Sequence, residues 1–312
     1  YLVSKMENQN VERKKGKPGR PKLNKDIKII KKEGIVDTPI LENGIMDLAY
    51  NNPIVFKKIF TLFDTMKIKD IRMEFRKDNI SIKTYDHLEK NTIIVKINSS
   101  QMVRYYRKYD FDINLDPRNI QNVLKKLDKN YTSVTFLSYE ESYTNEIILV
   151  FTRDDIKMHE KHSIKLIDSN CIDSKISSLV FDMNYFSYPI NFTLNSKIFK
   201  KIINDIQIFS EFFTIEKSND MKLTIKYNTQ DNTTKSKNIF GNDEVIKLKS
   251  ELETNQIFSV TTKVEYVKAL SSALISDNIT IYLDFNKNIV FSVDVDDRAF
   301  NILIYTSIIR CD

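Results

Sequence analysis

Glycine is scarce in this sequence. Its 312 residues contain only Gly16, Gly19, Gly34, Gly44 and Gly241, none of them between 45 and 240. A phosphate-cradling loop or a dinucleotide-binding turn needs clustered glycines so that backbone amides can approach phosphate, so both are excluded. Cysteine is nearly absent too. Cys171 and Cys311 are too few for a disulfide framework or a zinc ribbon, and they suit a reducing compartment. Tryptophan is missing altogether. No stretch approaches the roughly 20 apolar residues of a membrane-spanning helix. Histidine is limited to His87, His159 and His162. His159-x-x-His162 has no cysteine or carboxylate set at zinc spacing around it and reads as a surface pair.

What is present is a core-forming composition, 41% hydrophobic with 19 Phe and 15 Tyr. The formal charge of +6 is unevenly spread. Residues 1–33 carry 11 Lys and Arg against 4 Asp and Glu, leaving 37 against 38 in the rest. The basic excess therefore sits in an N-terminal arm ahead of a near-neutral body. A nucleic-acid role for that body requires charge segregated onto one face. Residues 1–35 read as flexible. Lys14 to Lys22 hold a Gly-Arg-Pro core between lysines, and Lys17, Arg20 and Lys22 are its candidate DNA contacts. The segment is similar to an AT-hook, although Pro18 stands where a hook has arginine. A solvated basic tail with general phosphate affinity is the other reading.

One pattern occurs four times: an amphipathic helix opens and strand-like runs follow. The helices start at Asn52-Pro53, Asp116-Pro117, Asn195-Ser196 and Thr262, which are 64, 79 and 67 residues apart. Each start offers a side chain able to accept a free first-turn amide, and Thr262-x-x-Glu265 has the spacing of a capping box. A repeat of this length implies one supersecondary unit used four times. The expected helices span about 53–66, 117–129, 196–209 and 263–275. Their apolar stripes, such as Phe56, Ile59, Phe60 and Phe63, recur at helical spacing. Opposite the stripes lie Lys58 on the first helix, Arg118, Lys125 and Lys129 on the second, and Lys197, Lys200 and Lys201 on the third. On the fourth, Lys263 and Lys268 only flank the stripe. Period-two runs place strands at 45–50, 71–76, 79–84, 92–97, 133–139, 146–152 and 162–167 in the first half. In the second half they fall at 212–217, 221–227, 244–249, 279–285, 288–295 and 300–308, with a polar loop over 228–243. Residues 168–188 break the rhythm and read as a linker.

Lysine rows on equivalent helices make a surface that contacts phosphate without reading bases. No nucleophile has a readable general base, so the chain is expected not to be an enzyme and to need no cofactor or metal. Asp294-Val295-Asp296-Asp297 looks like a two-metal cluster but reads as a charged hairpin tip.

With these residues in view, the chain resembles DNA sliding clamps of the proliferating-cell-nuclear-antigen type, closest to the clamp-like proteins of large cytoplasmic DNA viruses of the asfarvirus kind. The resemblance rests on Asn52–Phe60, on Lys263–Ala273 and on the Gly-Arg-Pro tail, and it runs over about residues 44–309. It implies an α+β DNA-clamp fold. Two like domains, 36–167 and 189–312, would flank the 168–188 linker, each with antiparallel sheets outside and two helices inside. It further implies a homotrimeric ring around double-stranded DNA of any sequence, tethering DNA polymerase and other replication and repair proteins through short peptides. The alternative is a clamp-like viral transcription factor that assembles with partners without encircling DNA. No membrane role is implied, and the expected setting is the host cytoplasm, with the nucleus also open.

By position, Lys58, Arg118, Lys125, Lys197, Lys200 and Lys201 would face the DNA, with Arg104, Arg107 and Lys108 as further candidates. A front pocket for partner peptides would be lined by Leu179, Val180, Phe181, Ile308 and Ile309, with Tyr85 and Leu88. The ring would close through the edge strands Glu146–Thr152 and Phe212–Lys217.

Overall fold

A computed structural model of the chain describes residues 43–87, 89–141, 145–168, 176, 188–217, 223–229, 233–239, 245–250, 257–273, 275–283 and 289–306. The first half runs β1 (Gly44–Tyr50), α1 (Pro53–Thr65), β2 (Ile71–Phe75), β3 (Asn79–Tyr85), β4 (Asn91–Asn98), β5 (Arg104–Arg107), β6 (Phe111–Leu115), α2 (Pro117–Leu124), β7 (Ser133–Tyr139), β8 (Glu146–Arg153) and β9 (Met158–Lys165). The second half repeats the order: β10 (Ile190–Asn195), α3 (Ser196–Phe209), β11 (Phe212–Lys217), β12 (Leu223–Asn228), β13 (Thr234–Ile239), β14 (Val245–Ser250), β15 (Phe258–Lys263), α4 (Val264–Ala273), β16 (Asn278–Leu283), β17 (Ile289–Val295) and β18 (Phe300–Thr306).

The pairing repeats as well. One sheet is ordered β5-β1-β7-β8-β9, and its counterpart is β14-β10-β16-β17-β18. The run β4-β3-β2-β6 has its counterpart in β13-β12-β11-β15. The halves are joined where β18 pairs antiparallel with β4, fusing two of the four runs into a nine-stranded sheet. The strands equivalent to β18 and β4 are β9 and β13, and both are sheet edges among the described residues.

The period-two pattern sets which face is buried. Along β3, Ile80, Ile82 and Thr84 are buried and their neighbours half-exposed. A one-residue slip would turn that apolar set to water, so the register is strongly specified. The helix stripes and the inner sheet faces share one core. Phe56 of α1 meets Phe136 of β7 with ring centroids 5.0 Å apart, and Phe300 of β18 at 5.2 Å.

Several expectations need correction. The presumed ring edges β8 and β11 are interior strands, flanked by β7 and β9 and by β12 and β15. Five strands were not among those expected: β6, β10 and β15, each running into the helix that follows it, and β5 and β13. The sequence Arg-Tyr-Tyr-Arg of β5 has no apolar period, and β13 falls in the presumed polar loop, held by backbone pairing to β12. Helix α2 ends at Leu124, so Lys129 lies beyond it, in a turn. Asp116 and Asn195 do cap, accepting the Arg118 and Lys197 amides at 2.9 and 3.0 Å. Asn52 does not; its side-chain amide donates instead to Asp296 of the other half at 3.1 Å. Thr262 sits fully buried inside β15 and forms no capping box.

Candidate nucleic-acid interface

The four helices form one row. α2 packs on α1, α1 on α4, and α4 on α3. The buried side of each is apolar. In α3, Phe199, Ile202, Ile203 and Ile206 are all at most 2% exposed. With the stripe fixed against the sheets, the 3.6-residue period dictates what remains outside. Lys58 of α1, Arg118 of α2, Lys125 and Lys126 just past its end, Lys197 and Lys201 of α3, and Lys268 of α4 are exposed. Lys200 is half-buried. Lys126 was not singled out in the sequence, because on a helix continued to 129 it flanks the apolar stripe, whereas the chain leaves the helix after Leu124. Lys263 closes β15, and its ammonium lies 5.4 Å from the Phe212 ring centre.

Electrostatics separate this row from the sheets. Several cations along the strand ladders are matched to carboxylates: Arg72 and Arg76 to Asp112 at 2.6 and 2.7 Å, Lys83 to Glu74 at 2.9 Å, Lys226 to Glu216 at 2.7 Å. Among the described residues, none of Lys58, Lys125, Lys126, Lys197, Lys200, Lys201 and Lys268 makes an ion pair. Arg118 folds back onto its own cap, Asp116, at 2.5 Å. Burial alone would raise the Asp116 carboxyl, but hydrogen bonds from the Arg118 side chain and backbone, with its charge, overcome this and hold it below the usual range. Lys57 is spent structurally. Its ammonium donates to the Lys125 and Leu127 carbonyl oxygens at 2.9 and 2.6 Å, closing the C-terminal end of α2.

Three expected DNA contacts belong elsewhere. Arg104 and Arg107 lie on the edge strand β5, with Lys108 directly after it. Arg104 shares a sheet face with Asp47, opposite the core residues Leu48 and Tyr105, and pairs with that buried carboxylate at 2.6 Å. Arg107 pairs with Asp110, and Lys108 with Glu140 at 2.9 Å. None joins the helix row. Lys17, Arg20 and Lys22 lie outside the described residues, as do Leu88, Leu179, Val180, Phe181, Ile308 and Ile309.

Tyr85 is half-buried and belongs to a row that the sequence did not reveal. On the nine-stranded sheet, Tyr85 pairs with Thr92, Thr92 with Tyr305, Tyr305 with Val290, and Val290 with Tyr282. Tyr188 lies against Tyr282 with ring centroids 5.4 Å apart. The residues beside this row in each strand, such as Ile93, Ile304 and Phe291, point into the core, so the tyrosines occupy the face away from the helices. Only strand pairing brings together residues this far apart in sequence.

No group of His, Cys, Asp or Glu able to hold a metal occurs among the described residues. Within the same residues, no helix is long and apolar enough to cross a membrane.

No protein-family model matches the chain. Two African swine fever virus proteins, described only as uncharacterized, come from a Kenyan pig isolate and a Namibian warthog isolate. Each is 24% identical over 298 residues, covering 94% of this chain and 97% of the relative. Among solved structures, the PCNA of Thermococcus kodakaraensis matches with a TM-score of 0.71 at 12% identity, covering 85% of this chain and 100% of that one. The architecture is thus the DNA-clamp fold, with antiparallel sheets on one side, four helices on the other and two like halves, and the chain is a clamp-like protein with viral relatives.

Proposed function

We propose that this protein is a sliding clamp: copies of the chain close into a ring around duplex DNA and tether replication and repair enzymes to it. The observation that carries this reading is the contrast in charge pairing. Arg72, Arg76, Lys83 and Lys226 on the sheets meet carboxylates, although Lys96, Lys161 and Lys165 do not, whereas none of the seven lysines of the helix row does among the described residues. Solvation alone gives no reason for that segregation, and a phosphate backbone at the helix layer does.

Ring closure has a physical rationale in the repeat. The internal junction joins β18 to β4 and α4 to α1. The equivalent elements at the two ends, β9 with α2 and β13 with α3, have no neighbour on their outer side among the described residues. Joining them between copies repeats the internal junction and satisfies two free edges. A contact between unlike ends is heterologous and closes into a ring when the rotation allows, and the clamp resemblance implies three copies. DNA would pass along the helices, against Lys58, Lys125, Lys126, Lys197, Lys200, Lys201 and Lys268. The basic arm, through Lys17, Arg20 and Lys22, would add phosphate affinity. Partner peptides would dock on the outer tyrosine row. Tethering raises the effective concentration of a polymerase at its template without new chemistry, which makes the role a processivity factor.

Light scattering at micromolar concentration tests the assembly, and a three-chain mass is expected. A stable monomer would favour a clamp-like assembly factor that never encircles DNA. Duplex binding should be indifferent to sequence and steeply salt-dependent. Tight sequence-specific binding by residues 43–306 contradicts the reading.

A further inference from the structure

The last turn of α3 breaks the rule that the rest of that helix obeys. After a stripe that is almost wholly buried, Ile208 and Phe209 are 70% and 38% exposed, and Phe212, at the start of β11, is 37% exposed. The corresponding last-turn residue of α1, Met66, is 5% exposed. The exposed rings are ordered by their neighbours. Phe209 stacks on Tyr227 with centroids 6.4 Å apart, and the Lys235 ammonium of β13 sits 4.2 Å from its centre. Two open grooves flank the patch. One, of about 590 Å³, runs from Gln207 to Glu211 and along Lys263 to Lys268. The other, of about 340 Å³, lies between Phe212 and Tyr227.

We propose that Ile208 and Phe209 anchor the contact with a second copy of this chain, seating against its α2 and β9 end. This inference rests on the ring reading and adds which side chains hold the seam. The patch lies at the end of the helix row, on α3, next to the free edge β13. A second copy brought in by β9 pairing with β13 places its α2 against α3, just as α4 lies against α1 within one chain. The chemistry of the opposite end fits. Lys235 projects from the helix side of β13. Glu160 projects from the helix side of β9, where it accepts from Tyr131 at 2.8 Å and lies 3.3 Å from His162, with Met158 beside it on the same face. A sheet continued across the seam brings the Glu160 carboxylate, the Met158 thioether, the Lys235 ammonium and the Phe209 ring onto one face. The hydroxyl of Tyr131 holds that carboxyl below its usual range, so it is charged when the seam forms. The tyrosine row, on the other face of the sheets, is left clear for peptides.

The experiment is light scattering across a concentration series on the full chain and three variants. Ile208→Asp should raise the dissociation constant of the assembly at least about 30-fold, the size of a hot-spot loss. Its circular dichroism should be unchanged, as should its melting temperature at concentrations where the wild type is also dissociated, because Ile208 lies mostly in water in the single chain. Lys235→Glu should weaken assembly, and adding Glu160→Lys should restore it. A wild-type ring that Ile208→Asp leaves intact overturns the inference and spares the ring reading. A double charge reversal that restores nothing overturns β9 as the opposing surface. A wild-type chain that is monomeric at every concentration overturns both.

Discussion

The cations of the helix row and those of the strand ladders come from one near-neutral body but live in different environments. On the sheets, diagonal cross-strand neighbours stand about 7–8 Å apart, within reach of long side chains, and carboxylates so placed meet Arg72, Lys83 and Lys226, while Arg76, just past β2, meets Asp112. On the helices, the positions three and four residues from Lys58 are Ile54, Val55, Thr61 and Leu62, so no such partner arises, and Lys201 makes no ion pair although Asp205 lies four residues on. Overall neutrality therefore hides a charge separation between two layers. Charge totals describe solubility, whereas the pairing of each cation describes what it is free to bind.

Four variants would break or sharpen this contrast. The largest effect is expected for Arg104→Met. It strands the Asp47 carboxylate, whose side chain is 2% exposed, and should cost about 3 kcal/mol of stability, read by denaturant unfolding. Duplex affinity of the folded fraction should stay unchanged. A loss of DNA binding without a loss of stability would return Arg104 to the interface. Next, replacing Lys58, Lys197 and Lys201 together by glutamine should leave the melting temperature alone. It should lower the slope of log affinity against log salt by roughly three, at about 0.9 per lost phosphate contact. An unchanged slope would reduce those lysines to solvated surface.

Smaller effects concern how the row is held. Lys57→Met removes the donor that closes α2 and should cost about 1 kcal/mol. Asp116→Ala removes a cap and should cost about 1 kcal/mol near neutral pH. The sign of its pH dependence follows from the depressed carboxyl in the folded chain. Its contribution is present above the unfolded value, near 4, and is lost as pH falls through the folded one. Wild type and variant should therefore converge in acid. A gap that widens on acidification would show that Arg118 does not hold the carboxylate.

The elements whose buried residues announce themselves were readable in advance. α1 and α3 fall within a residue of expectation, because Phe56–Phe63 and Phe199–Ile206 mark one helical face without ambiguity. β5 and β13 were missed because Arg104–Arg107 carry a single core residue, Tyr105, and Thr234–Ser236 are exposed; their positions come from pairing with β1 and β12, and no local pattern encodes that. Asn52 looked like a cap and instead reaches across the chain to Asp296, which also accepts from the Tyr50 hydroxyl. Burial comes first among the causes that raise the Tyr50 hydroxyl, followed by the Asp296 hydrogen bond, so the phenol stays protonated and keeps donating across the two halves.

Sequence by itself determined the repeat, the helical faces and hence the outward lysines. Those depend on local periodicity, which each segment carries within its own dozen residues. It also excluded the glycine-loop and disulfide-framework classes, because such sites need clusters of residue types that are scarce here. Tertiary structure alone decided which strands are edges, which cations find a carboxylate and which tyrosines share a row. These are pairings between residues tens to hundreds of positions apart. The pattern that specifies each strand says which face is buried, and leaves open which strand lies beside it.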